Sequence, residues 1–124
     1  MQRVEQQIHK AVAAHLRQRG APGVLWWHTA NGAHYGKRNR KGAAIQGAIM
    51  KGLGVRAGVS DIVALHNGKF FALELKAPGG RPTEPQLAFI SDVQRNGGFT
   101  CVADSLDGAL KTLETWGLVR GVSA

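Results

Sequence analysis

The sequence predicts an α/β protein, and three observations carry that expectation. Segments with apolar residues at helical spacing alternate with short runs of β-forming residues. An Asn-Gly pair at 67 and 68 separates two such runs and supplies the positive φ values of a type I′ hairpin turn. The 124 residues fit one domain, residues 1–124, able to bury about two-thirds of its unfolded surface.

The elements follow in order. From Gln2 to Arg19, apolar Val4, Ile8, Ala11, Val12 and Leu16 recur at helical spacing, and Gly20, Ala21, Pro22 and Gly23 end the pattern. Val24 to His28 holds two tryptophans among β-formers and reads as a strand, with one of Trp26 and Trp27 expected in the core. Thr29 to Gly42 is poor in apolar side chains and rich in Gly and cations, which predicts an exposed loop. A short helix is expected over Ala43 to Gly52, weakened by Gly47.

Asp61 to His66 and Lys69 to Lys76 form the hairpin strands. Their apolar runs, Ile62 to Ala64 and Phe70 to Leu73, suit strands buried on both faces. Thr83 with Gln86 makes a capping box, and Pro85 fits the first turn of a helix reaching about Asn96 with Leu87, Ile90 and Val93 inward. Phe99 to Ala103 is a strand. Asp104 or Ser105 then caps a last helix that turns Ala109, Leu110, Leu113 and Trp116 inward.

Composition narrows the partners. Sixteen Lys and Arg against eight Asp and Glu give a formal charge of +8, which favours a polyanion, nucleic acid first. Cys101 is alone, so neither an internal disulfide nor a cysteine-rich zinc site is available; within its apolar run it reads as a buried thiol compatible with a reducing compartment. No segment approaches the ~18 apolar residues of a membrane span, and the first ten residues lack a signal core, so a cytoplasmic protein is expected.

The hairpin brings two acids together. Residues flanking a two-residue turn pair first, so His66 faces Lys69 and, further out, Asp61 faces Glu74 on the same side of the sheet. Opposed like charges destabilise a sheet unless a cation or a shared proton compensates. Lys76, two residues on, points to the same face, whereas the Leu75 side chain points away and leaves its carbonyl near the acids. Hard oxygen donors suit Mg²⁺ or Mn²⁺, and a metal beside a lysine suits phosphodiester hydrolysis. Lys76 has three open roles: orienting water, helping to deprotonate it, or stabilising the pentavalent phosphate. The plainer reading is a Lys76–Glu74 salt bridge, but charges within such apolar strands need a reason.

These residues resemble the PD-(D/E)XK nuclease superfamily, and within it the VRR-NUC family. Gly58-Val59-Ser60-Asp61, Glu74-Leu75-Lys76 and Gln86 carry the likeness, together with Glu5, Asn31-Gly32, Gly54 to Gly58 and Gly97-Gly98-Phe99. Ser60 stands where the family usually has proline. The resemblance implies a restriction-endonuclease-like core, αβββαβ, with a mixed sheet flanked by helices. It also implies that Asp61, Glu74, the Leu75 carbonyl and Glu5 bind Mg²⁺ or Mn²⁺, with Lys76 the catalytic lysine and Gln86 its support. By the same likeness the chain is a DNA endonuclease selective for branched DNA such as a Holliday junction. It would serve DNA repair, act as a homodimer, and belong to a bacterium or a phage-infected cell.

Glu5 and Gln86 also have plain readings, as a solvated helix residue and as the capping-box partner. For phosphate contacts the candidates are Asn31, Lys37, Arg38, Arg40, Lys41, Lys51 and Arg56. The histidines, His34 in the loop included, show no close metal-ligand spacing. Two rival functions stand beside the nuclease: a basic nucleic-acid-binding module, and a nuclease subunit of a larger repair or restriction complex.

Overall fold

A computed structural model describes residues 3–29 and 40–121. Its elements run α1 (Val4–Arg19), β1 (Leu25–His28), α2 (Arg40–Gly52), β2 (Ile62–His66), β3 (Lys69–Leu75), α3 (Glu84–Arg95), β4 (Phe99–Ala103) and α4 (Leu106–Thr115). The four strands form one mixed sheet in the order β1-β2-β3-β4: β1, β2 and β3 are antiparallel in sequence, and β4 lies parallel to β3. A parallel neighbour requires a crossover, and α3 is that crossover.

The hairpin register is set by its turn. Asn67 at φ 52° and Gly68 at φ 77° adopt the left-handed values of a type I′ turn. His66 consequently pairs with Lys69, and the ladder runs without a bulge to Ile62 opposite Leu73. Alternation then sorts the side chains. Trp26, Ile62, Ala64, Phe71, Leu73, Leu75, Cys101 and Ala103 face the main core, where Ile8, Val12 and Leu16 of α1 and Ala109 and Leu113 of α4 cover them. The opposite face carries Val63, Ala72 and Glu74, all buried, as expected for strands enclosed on both sides.

Both caps inferred for the later helices form. Thr83 Oγ1 accepts from the Gln86 N–H while Gln86 Oε1 accepts from the Thr83 N–H at 2.8 Å, completing the capping box. At α4 the cap is Ser105, whose hydroxyl accepts from Gly108 N–H at 3.0 Å; Asp104 instead accepts from Gly79 N–H.

Several boundaries and faces differ from the sequence reading. Arg40 and Lys41, expected in a loop, open α2, because Ala43, Ala44 and Ala48 carry enough helix propensity to extend it past Gly42. Val4 is exposed and the buried stripe of α1 is Ile8, Val12, Ala13 and Leu16. On α3 the inward face passes through Gln86, Phe89, Ile90 and Val93, all half-buried, while Leu87 is 52% exposed. Close backbone approach rotates that helix: a Cβ on Gly58 would meet the Pro85 carbonyl at 2.3 Å, and one on Gly98 would meet Val93 Cγ1 at 2.5 Å. Cys101 is half-buried, its thiol 3.3 Å from Thr112 Oγ1. Trp26 is the core tryptophan, with the Arg17 guanidinium 5.6 Å from its ring centre, and Trp27 is exposed. Beyond α4, Leu118 and Arg120 exchange backbone hydrogen bonds with Ala21 and Arg19, tying the last turn to the end of α1.

Candidate functional site

Asp61 is the residue before β2, and the register of that strand carries it opposite Glu74. Asp61 Oδ2 accepts from the Leu75 N–H at 2.8 Å, and the Asp61 carboxyl is near enough to Glu74 to perturb its titration. In a strand a residue's N–H and C=O point to the same edge. Lys76 N–H bonds β4 through the Ala103 carbonyl at 2.9 Å, so the Leu75 carbonyl, one residue earlier, points back toward Asp61.

Glu74 is only 1% exposed, and its Oε2 has no hydrogen-bond partner among the described residues. Burial pushes its pKa up to about 9 from an ordinary 4.5, helped by the neighbouring Asp61 carboxyl and, more weakly, by the charge of Glu5. Lys76 pulls the other way, which places its ammonium within electrostatic reach of the carboxyl. The free protein therefore relieves the clash between opposed acids with a proton held on Glu74.

The structure brings Asp61, Glu74, the Leu75 backbone, Lys76 and Glu5 to one end of the sheet, Lys76 and Glu5 half-buried. Gln86 uses its amide oxygen in the α3 cap, which accounts for its position. Arg56 is not a free cation: its guanidinium pairs with Asp92 at 2.7 Å and lies 5.4 Å from the Phe89 ring centre, so it fastens the segment before Asp61 to α3. Lys51 is exposed in the last turn of α2. Asn31, Lys37 and Arg38, with His34, lie outside the described residues.

Two histidines near the acids escaped the sequence reading. His28 Nδ1 lies 2.8 Å from the Asp61 carbonyl oxygen, and the His9 ring meets His28 edge-on at 4.3 Å. Burial and the neighbouring His28 lower the His9 pKa, against a smaller raising effect of Asp61. Spacing offered no signal for this group, because it forms only once β1 pairs with β2 and α1 packs across the sheet. No group of three or more His, Cys, Asp or Glu side chains among the described residues is arranged to hold a metal. The converging donors are two carboxylates and one carbonyl, the hard oxygen set that Mg²⁺ and Mn²⁺ use with water completing the shell.

The chain matches no protein-family model, no curated protein and no solved structure. Among the described residues no helix is long and apolar enough to cross a membrane.

Proposed function

We propose that this chain is a divalent-metal-dependent DNA endonuclease of the PD-(D/E)XK type. One observation carries the reading: a buried glutamate with an unpartnered oxygen, set against an aspartate and beside a lysine, inside an otherwise apolar hairpin. Apolar residues at these positions would give a more stable sheet, so the charges fit a ligand that offsets their cost.

Asp61, Glu74 and the Leu75 carbonyl would hold Mg²⁺ or Mn²⁺, with Glu5 extending the negative field from α1. When bound, such an ion supplies Lewis-acid activation of phosphate and water. Glu74 gives up its proton to make room for it, so affinity rises with pH. Lys76, fixed by the Ala103 hydrogen bond at its own backbone, directs a cation at the same face, where it neutralises charge gathering on a phosphate. The formal charge of +8 draws in the DNA backbone, and Lys51 with Arg40 and Lys41 at the two ends of α2 supports phosphate contact. A restriction-endonuclease-like core, preference for branched DNA and a twofold dimer that presents two sites are parts of the same proposal.

The test incubates the purified chain with four-way junctions, flaps, linear duplex and single strands in Mg²⁺, Mn²⁺ or EDTA, beside Asp61→Asn and Lys76→Ala. Metal-dependent cutting by the wild type should fall at least 100-fold in each variant. Undiminished cutting by either variant overturns the site, and binding without cutting by the wild type leaves a nucleic-acid-binding module.

A further inference from the structure

We infer that His28 is a positioning residue for Asp61, locking the acid from its backbone side while β3 locks its carboxylate. The inference rests on Asp61 being a metal ligand. A carbonyl oxygen offers two acceptor directions, and both on Asp61 are filled from the end of β1: the Thr29 N–H at 3.0 Å and His28 Nδ1 at 2.8 Å. Since a carbonyl has no proton to give, Nδ1 is the donor. Thr29 Oγ1 adds a third link, donating to the Ser60 carbonyl at 2.6 Å. The opposite side of the residue is held by the Leu75 N–H on Oδ2 at 2.8 Å. Asp61 is thus gripped between two strands just where its own strand begins.

His28 is exposed at the end of an edge strand, outside the hydrophobic core. Strand alternation turns it toward α1, where His9 packs edge-on against it at an interplanar angle of 88°. His9 sits one helical turn after Glu5, so the ring contact also sets the first turns of α1 against the Asp61 backbone. The contacts of His9 with His28 and of His28 with Asp61 therefore tie α1, the helix that carries Glu5, to an acid 56 residues further along the chain. Partners that orient a metal ligand typically govern affinity by about 10- to 100-fold when removed.

Side-chain isosteres separate positioning from mere occupancy. The amide nitrogen of Asn falls close to where His places Nδ1, whereas that of Gln falls close to Nε2. Mn²⁺ binding is measured by calorimetry on the full chain for wild type, His28→Ala, His28→Gln and His28→Asn, with a thermal melt of each. We expect Ala and Gln to weaken Mn²⁺ binding by about tenfold and Asn to restore most of the loss, with the melting temperatures close together. In cleavage assays the Mn²⁺ concentration for half-maximal rate should rise in Ala and Gln while KM for DNA stays unchanged. Equal Mn²⁺ affinity in wild type and His28→Ala, or no difference between Asn and Gln, overturns the positioning role and leaves the metal site standing. A wild type that binds no Mn²⁺ overturns the metal site itself. If His28→Ala melts well below the wild type, the comparison of Asn with Gln decides.

Discussion

Glu74→Gln should stabilise the metal-free protein at neutral pH while abolishing its cleavage. The folded protein holds a proton on Glu74 up to about pH 9, whereas the unfolded chain releases it near 4.5. A carboxyl with a raised folded pKa contributes its full stability below pH 4.5 and loses it progressively as pH rises toward about 9. At ~1.4 kcal/mol per pH unit, holding the proton at pH 7 costs the wild type about 3 kcal/mol. Gln removes that cost. For a chain of this size the gain corresponds to roughly 10 °C in Tm. Thermal or urea unfolding in EDTA at about pH 5, 7 and 9 reads it: the two proteins should nearly coincide at the acid end and diverge as pH rises. Saturating Mn²⁺ should close the gap by stabilising only the wild type. A difference that stays flat with pH, or a Gln variant less stable than wild type at pH 8, refutes the account of Glu74 as a strained, protonated acid.

Other perturbations test the elements around the site. Gly58→Ala forces a Cβ to within 2.3 Å of the Pro85 backbone at a φ of +82°, and should cost about 2 kcal/mol or more in urea unfolding, loosening the segment that leads into Asp61. Gln86→Ala removes half of the capping box and should lower stability by about 1 kcal/mol; Gln86→Glu retains the cap, so a loss of cleavage in that variant alone assigns Gln86 a role beyond capping. Lys51→Ala should lower the slope of log Kd for DNA against log salt by about 1. Arg56→Ala should leave that slope in place and lower Tm instead, because its charge is spent on Asp92 and Phe89.

How much could be read in advance depended on the range of the interaction. The Asn67-Gly68 turn dictates its hairpin through backbone φ alone, and the register of the hairpin is what places Asp61 against Glu74 and Lys76 beside them. The Thr83 and Ser105 caps are equally local, each linking groups three residues apart. The inward face of α3 was less legible, since Leu87 and Phe89 are equally apolar and only the contacts at Gly58 and Gly98 rotate the helix to expose one and cover the other. The ion pair of Arg56 was hidden for a similar reason: its partner Asp92 lies 36 residues away on a different element.

The sequence by itself determined the alternation of helices and strands, the hairpin and the meeting of its two acids, because each follows from backbone conformation and side-chain period within a few residues. Only the tertiary structure decided that Glu74 is buried with an oxygen left over, that Glu5 reaches it, and that His9 and His28 close around Asp61. Those features depend on how α1, β1 and β4 are laid against the hairpin. Such packing is fixed by the summed burial of the whole apolar core, and no single stretch of the chain encodes it.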